Sequence, residues 1–398
     1  MEKIFVENGL NTSNPMNVVL VADVDLSRFS GDTVRTMAFA SELTAKGLHV
    51  TLITPEPSEN KLMFQDQGIY LKYLDIKQKK GSLVNILSRN YKLIKKVKEL
   101  KTDDSVLVIE MGLLGGYFAF LGFDNYFLDV HGMYFDEVAH AKVPWYIPHK
   151  ILKFAVKHLE SAGLKNASKI VVVSDSMKNL VVNEFKISSD KIEVISNGYF
   201  GYKVLNTFKK DIKIKKGRVT FVGTLSKWAS VDKIIKAARN LKNENVEFCI
   251  VGDGNCFIEL KELAKKFKLE NVLFTGYLSI DKVYETVLSS EIVLLPFNRD
   301  LCTEVASPIK VFEYMAFGKA LVLDEVSDIT RFLKDNNAAL VSDPADEAQF
   351  TNNIRILLKD KELRDKIGFK ALNLSKEFSW ESQVEKLFKL ILHEQKSK

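Results

Sequence analysis

The run Ser307-Pro308-Ile309-Lys310-Val311-Phe312-Glu313-Tyr314-Met315-Ala316-Phe317-Gly318-Lys319 sets a cation and a carboxylate three residues apart, just behind a Ser-Pro pair. Ser307 suits an N-cap, Pro308 suits the first helical position because its missing N–H is not needed there, and Gly318 suits the left-handed residue that ends a helix. The first turn of such a helix has free N–H groups and the positive end of the dipole. The backbone of Ser307, Pro308 and Ile309, with the Lys310 ammonium, is therefore an expected cradle for a phosphate. Glu313 lies on the same side as Lys310, where a carboxylate can accept hydrogen bonds from the paired hydroxyls of a ribose. The plainer alternative is a solvated Lys310–Glu313 surface pair worth a few tenths of a kcal/mol.

Short apolar runs must carry this helix. Ile292 to Pro296 and Ala320 to Leu323 flank it, and similar runs recur at Asn17 to Ala22, His49 to Thr54, Ser105 to Glu110, Tyr126 to Val130 and Ile170 to Val173, then at Val219 to Val222, Val246 to Val251 and Val272 to Thr275. Helical stretches such as Arg35 to Lys46 alternate with them, which argues parallel sheets in each half. The polar, lysine-rich stretch Gly201 to Gly217 reads as a linker or an exposed loop. Ligands of open parallel sheets lie beyond the carboxyl ends of the strands. Gly223, Thr224 and Lys227 follow one strand, Gly276, Tyr277 and Leu278 another, and Gly31 and Asp32 lie after the first strand of the other half. His131 follows Tyr126 to Val130. Gly252-Asp253-Gly254 reads equally as a tight turn or a phosphate contact.

SPIKVFEYMAFGKALV resembles the nucleotide-sugar motif of the retaining glycosyltransferases of family 4, in the branch S-P-x-K-x-[FY]-E-Y-[LM]-A-x-G-K. Phe221-Val222-Gly223-Thr224-Leu225-Ser226-Lys227-Trp228 with Asp232, Phe248 to Gly254, and Val272 to Leu278 resemble that family's donor-domain blocks in order. Phe29 to Arg35, Gly47 to Val50, Lys169 to Ser174 and Val194 to Gly198 are similar to its acceptor-domain blocks. Asp129-Val130-His131-Gly132 matches the D-x-H-[GD] setting in which the family holds a histidine beside the reacting sugar. The resemblance implies an α/β chain of GT-B fold, two Rossmann-like domains whose parallel sheets face a central cleft. The acceptor-binding domain would be 1–198, the donor domain 199–377, and 378–398 would cross back to pack on the first. It implies metal-independent transfer of a sugar from a nucleoside diphosphate, a UDP-sugar being the first choice, to a hydroxyl with retention. Lys310, Glu313 and His131 would carry the chemistry. Two departures stand out: eight positions before Glu313 is Val305, with Glu304 one place out, and the family's donor-loop arginine and lysine fall at Thr224 and Ala229. Lys227 is the candidate replacement. The departures keep open a catalytically degenerate, partner-binding relative, and a GT-B sugar-nucleotide epimerase shares the phosphate site.

The chain has 398 residues, 46% hydrophobic, enough for two cores. No apolar run of about eighteen residues is present, and Met1 to Pro15 lacks a signal-peptide pattern, so a cytoplasmic location, with peripheral contact at the inner face of a membrane, is the expectation. Cys249, Cys256 and Cys302 lack metal spacing, and no metal or cofactor is expected. Asp23-Val24-Asp25 is a weak match to a metal-binding D-x-D, no P-loop occurs, and a dinucleotide fingerprint fails where Phe257 stands for the third glycine. The net charge is +6. Lys77, Lys79, Lys80, Arg89, Lys92, Lys95, Lys96 and Lys98 interleave with Leu83, Ile86, Leu87, Tyr91, Leu93, Ile94 and Val97, and 142–148 with Lys150 and Lys153 adds interfacial aromatics. An anionic membrane surface and a lipid-linked or glycan acceptor fit this pattern, as does a solvated helix face. Nucleic acid does not fit, because no recognisable module accompanies the charge.

Overall fold

A computed structural model describes residues 16–28, 30–59, 69–77, 83–137, 148–201, 206 and 211–396, with the backbone alone for 73–77, 83–88 and 396. The elements of the N-terminal half are β1 (Asn17–Val21), α1 (Gly31–Ala45), β2 (His49–Glu56), β3 (Tyr70–Lys77), α2 (Leu83–Leu100), β4 (Val106–Glu110), α3 (Gly112–Phe120), β5 (Tyr126–Val130), α4 (Tyr134–Glu137), α5 (His149–Asn166), β6 (Ala167–Val172), α6 (Asp175–Phe185) and β7 (Ile192–Val194). The C-terminal half continues with β8 (Arg218–Val222), α7 (Val231–Asn240), β9 (Glu247–Val251), α8 (Phe257–Lys266), β10 (Val272–Gly276), α9 (Ile280–Leu288), β11 (Ile292–Leu295), α10 (Leu301–Glu304), α11 (Ile309–Ala316), β12 (Ala320–Asp324), α12 (Asp328–Asp335), β13 (Leu340–Ser342), α13 (Glu347–Lys359), α14 (Lys361–Ser375) and α15 (Trp380–Lys396). Two compact units divide the chain, Met1–Glu110 with Asn125–Phe127, and Met111–Asp124 with Leu128–Lys398.

Strand order is β3-β2-β1-β4-β5-β6-β7 in one sheet and β10-β9-β8-β11-β12-β13 in the other. The central strands are buried along their length, as β4 and β12 show, because helices cover both faces of a parallel sheet. In the second sheet β8 pairs with β9 on one side and β11 on the other, all parallel. Its strand order therefore reverses between β8 and β11. Phe221, Phe248, Ile250, Leu294, Phe312 and Val322 form the core beneath that reversal.

The expected strands appear with shifts of at most three residues, the largest at β6, which starts at Ala167 rather than Ile170. Three were missed. β7 and β13 span three residues each, too short for a readable apolar run, and β3 is interrupted by Lys72 and Asp75. α1 starts four residues before the expected Arg35, because the Ser30 side chain accepts from Thr33 N–H and caps it there. The two polypeptide connections beyond 198 and before 380 run side by side: Tyr199 N–H donates to Phe378 O at 3.1 Å, and Trp380 N–H to Tyr199 O at 3.0 Å. α15 then buries Trp380, Val384, Leu387 and Ile391, one stripe of an amphipathic helix.

Candidate functional site

α11 forms as the sequence indicates, with one correction at its start. Pro308, in extended backbone, is the N-cap residue and Ile309 the first helical one, so Ser307 lies one place outside the cap. Ser307 instead meets Asn197: its Oγ accepts from Asn197 N–H at 3.3 Å, and its carbonyl accepts from Asn197 Nδ2 at 2.6 Å. Nearby, Ser174 Oγ donates to Val305 O at 2.7 Å. The lead into α11 is thus fixed from outside the helix. Its other end closes with Gly318 at φ 62°, where Gly318 N–H reaches Met315 O and Lys319 N–H reaches Tyr314 O, the paired bonds of a Schellman end.

Glu313 is 4% exposed, which overturns the reading of a solvated pair. Its Oε2 accepts from Lys310 Nζ at 2.9 Å and its Oε1 from the Tyr284 hydroxyl at 2.7 Å. Tyr284 sits on α9, 3% exposed, with its ring edge-on to Phe317 at 4.9 Å. Two donors from different elements therefore set the plane of the carboxylate, while each oxygen retains acceptor capacity. Tyr314 turns inward: its hydroxyl accepts from Val222 N–H at 3.0 Å, tying α11 to the end of β8. Burial pushes its phenol pKa far above the usual value. Lys319, at the far end, donates to Leu288 O and Ser290 O, the end of the helix that carries Tyr284, and burial lowers its pKa to about 8.

Gly223, Thr224 and Lys227 occupy the loop after β8, whose tip is a short 3-10 turn, Lys227–Ala229. Thr224 and Lys227 are exposed, and Ala229, where the resemblance expects a lysine, is buried in the core. The segment 251–256 holds this loop through backbone bonds: Gly223 N–H donates to Val251 O, Leu225 N–H to Asp253 O, and Cys256 N–H to Leu225 O. A Cβ on Gly252, at φ 133°, would lie 1.9 Å from Gly223 O, so only glycine fits. Gly276 ends β10 and receives Gly252 N–H on its carbonyl; Tyr277 beyond it is 64% exposed and Leu278 half-buried.

His131 follows β5 as expected, its side chain 7% exposed and its Nδ1 3.4 Å from Oδ2 of the fully buried Asp129. The loop after it is anchored by Glu160 of α5, whose carboxylate accepts from Tyr134 N–H at 2.9 Å and Phe135 N–H at 3.1 Å. Asp136, on the short α4, accepts from the Cys302 thiol at 3.2 Å. The His131 loop and the segment leading into α11 are thereby linked through α4 and α10.

In the first unit, Gly31 and Asp32 follow β1 as expected, but as the opening residues of α1 rather than at the strand's end. Asp23 does not face a metal ligand set; it accepts two bonds from Arg89 and burial raises its pKa. Among the described residues no cluster of three or more His, Cys, Asp or Glu could hold a metal ion, and no helix is long and apolar enough to cross a membrane. Of the basic stretch, Leu93, Ile94 and Val97 are buried in the fold, while Lys92, Lys95 and Lys98 face solvent. The apolar side chains at 93, 94 and 97 are therefore taken up by the fold, while Tyr91 is 62% exposed and the side chains of 83–88 lie outside the described residues. Lys79, Lys80, Phe29, 142–147 and the linker positions 202–205 and 207–210 lie outside the described residues. Sequence reasoning missed Tyr284, Glu160, Ser174 and Asn197, because each acts through a contact distant along the chain.

Residues 205–373 match the family model described as Glycosyl transferases group 1, and 29–199 match the one described as Glycosyltransferase Family 4. An uncharacterized glycosyltransferase of Methanocaldococcus jannaschii is 28% identical over 252 residues, 61% of this chain and 62% of that protein. The alpha-D-kanosaminyltransferase of Streptomyces kanamyceticus is 21% identical over 235 residues, 56% of this chain and 58% of its own length. The alignments thus span about three fifths of these relatives. Sucrose-phosphate synthase from Thermosynechococcus elongatus superposes with a TM-score of 0.77 at 15% identity, covering 96% of this chain and 100% of that one. Anabaena HepE in complex with UDP and glucose superposes with a TM-score of 0.73 at 14% identity, covering 95% and 99%. The chain has the GT-B fold, and each of its halves is matched by a glycosyltransferase family model.

Proposed function

We propose that the protein transfers a sugar from a nucleoside diphosphate sugar to a hydroxyl acceptor with retention, without a metal, in the synthesis of a cell-surface polysaccharide or glycolipid. The observation that carries this reading is the buried Glu313 carboxylate, oriented by Tyr284 and Lys310 one turn inside the start of α11. The helix start and Lys310 would hold the diphosphate, with Lys227 adding charge from the β8 loop, and Glu313 would accept from the ribose hydroxyls. As the bond from the anomeric carbon to the phosphate oxygen breaks, charge develops on the leaving diphosphate, and preorganised cations stabilise it. The acceptor oxygen bonds to the anomeric carbon on the same face, and its proton passes to the departing phosphate oxygen. His131, steadied by Asp129, would line the sugar. A UDP-sugar is the proposed donor, in keeping with the UDP and glucose bound by the structurally similar HepE.

A panel of UDP, GDP, dTDP and ADP tested by calorimetry against the wild type and Glu313→Ala decides the matter. One nucleoside diphosphate should bind and the variant should bind it at least about tenfold more weakly. A soaked crystal with the diphosphate lodged away from Pro308 would sink the reading. Turnover only with an acceptor present separates transfer from epimerisation, and binding without turnover on any acceptor extract would favour a degenerate relative. A membrane-linked acceptor is a second proposal, favoured by α5, where Ile151 is 63% and Phe154 64% exposed beside Lys150. Flotation with anionic liposomes at low salt, abolished by Ile151→Ser with Phe154→Ser, is the expected result.

A further inference from the structure

Ligands of doubly wound sheets lie where the strand order reverses, between the loops that follow the two strands flanking the reversal. In the second sheet those are the loop after β8, residues 223–230, and the loop after β11, residues 296–300. One residue of the second loop joins the two through its backbone N–H and both ends of its side-chain amide. Asn298 N–H donates to Trp228 O at 3.1 Å, its Nδ2 donates to Lys227 O at 2.6 Å, and its Oδ1 accepts from Ser230 Oγ at 3.0 Å. Its own carbonyl accepts from Thr303 Oγ1 at 2.6 Å, on the helix that leads to Pro308.

Three surroundings give the connection meaning. Ser230 holds a left-handed conformation, φ 48° and ψ 37°, that disfavours a side chain, and its hydroxyl is the one bonded to Asn298. Phe297, next to Asn298, is clamped from below: its N–H donates to Asp324 Oδ2 at 3.0 Å, and Asp324 also pairs with the buried Lys233 at 2.7 Å. The Phe297 ring stacks on Trp228 at 5.8 Å. The β11 side is therefore the rigid one, and the β8 loop takes its position from it. Asn298 is itself exposed, whereas Ser230 is 5% exposed and donates its hydroxyl to it, so the amide both satisfies that buried group and reaches it from the solvent side.

We infer that Asn298 is a positioning residue that holds the Lys227 loop in register with the segment entering α11, so that the two cations proposed to meet the diphosphate keep one fixed spacing. The identity of the ligand rests on the proposed function; the connection across the strand reversal does not.

Amide hydrogen exchange of the full chain tests the connection without any ligand. Asn298→Asp, which sets an oxygen against Lys227 O, should speed exchange at 224–230 by more than tenfold while leaving 309–318 within twofold. Adding Ser230→Gly to Asn298→Ala should restore much of the protection, because glycine takes the left-handed conformation unaided. UDP titration supplies the second arm. Lys227→Ala should weaken UDP binding in the wild type but add less than twofold in Asn298→Ala, since the loop is already displaced; with UDP-sugar turnover, KM should rise while kcat stays within about threefold. Unchanged exchange at 224–230 in both Asn298 variants, or fully multiplicative effects of Lys227→Ala and Asn298→Ala, would overturn the inference. Were no nucleoside diphosphate to bind the wild type, the functional reading would fail, and the exchange result would still decide the role of Asn298.

Discussion

The helix start at Pro308 and the loop at 223–230 are proposed to meet the same ligand, but they are held by opposite means. α11 itself carries most of its geometry within its own sequence, an extended proline at the start, a Lys310–Glu313 pair one turn in and a left-handed glycine at the end, with the lead before it held by Asn197 and Ser174. The β8 loop carries little of its own. Backbone bonds from 251–256 hold one flank and the loop after β11 holds the other, around a serine in a conformation that serine disfavours. A site assembled this way has one face that is stiff by local chemistry and one that is stiff only through neighbours.

The largest difference should appear at the two glycines. Gly252→Ala forces a Cβ to within 1.9 Å of Gly223 O at φ 133°, and the expected cost is about 3–5 kcal/mol, with the β8 loop displaced. Gly318→Ala meets only atoms at 3.7 Å and should cost about 1–2 kcal/mol for its left-handed φ. Urea midpoints of the two variants measure this directly, and equal costs would erase the contrast. Next in size is the pair of cations. Lys310→Met should weaken UDP binding by about thirtyfold, roughly 2 kcal/mol, because it removes a charge-assisted donor that is only 20% exposed. Exposed Lys227→Met should cost threefold to tenfold, about 1 kcal/mol. Calorimetry that reversed this order would show the loop, not the helix, to be the main anchor.

How much of this was legible follows the same division. The alternating apolar runs and the capped segment 307–318 rest on residues near one another in sequence, so the α/β class and α11 could be read directly. The shift of the cap from Ser307 to Pro308 was not legible, because Asn197 claims the serine from more than a hundred positions away. The Lys310–Glu313 spacing predicted contact but not burial, which depends on Tyr284 covering the pair. Positions 224 and 229 looked like losses in the donor loop. The structure shows Ala229 in the core, where a lysine would need a different loop path. Pattern reading locates what a segment does to itself and misses what a distant segment does to it.

Tyr284 marks the place where even the stiff face depends on a neighbour. Tyr284→Phe removes the donor to Glu313 Oε1 and leaves the ring against Phe317, so the core should lose only about 1 kcal/mol. The carboxylate then keeps one fixed donor instead of two. Binding of UDP should weaken by about fivefold, with 2′,3′-dideoxy-UDP affected less, because only the ribose contacts depend on the carboxylate plane. Equal losses for the two nucleotides would place the ribose elsewhere.

The smallest effect concerns the flank of the α11 lead. Asp328, at the start of α12, accepts from Ser176 N–H at 2.8 Å and Ser176 Oγ at 2.6 Å, with Arg331 beside it. Burial alone would raise its pKa, but the bonds from Ser176 and the Arg331 guanidinium outweigh it and leave the pKa lowered. A carboxylate with a lowered folded-state pKa stabilises the fold above its unfolded value near pH 4, and that contribution is lost as pH falls through the folded value. At neutral pH, Asp328→Asn should therefore cost under about 1 kcal/mol. As pH falls through the folded value the variant and the wild type should converge. Thermal midpoints measured from pH 7 to pH 3 test this. A gap that persisted undiminished into acid would mean that the Ser176 bonds do not need the charge, and that this flank, unlike the Lys310–Glu313 pair of α11, is held by shape rather than by ionisation.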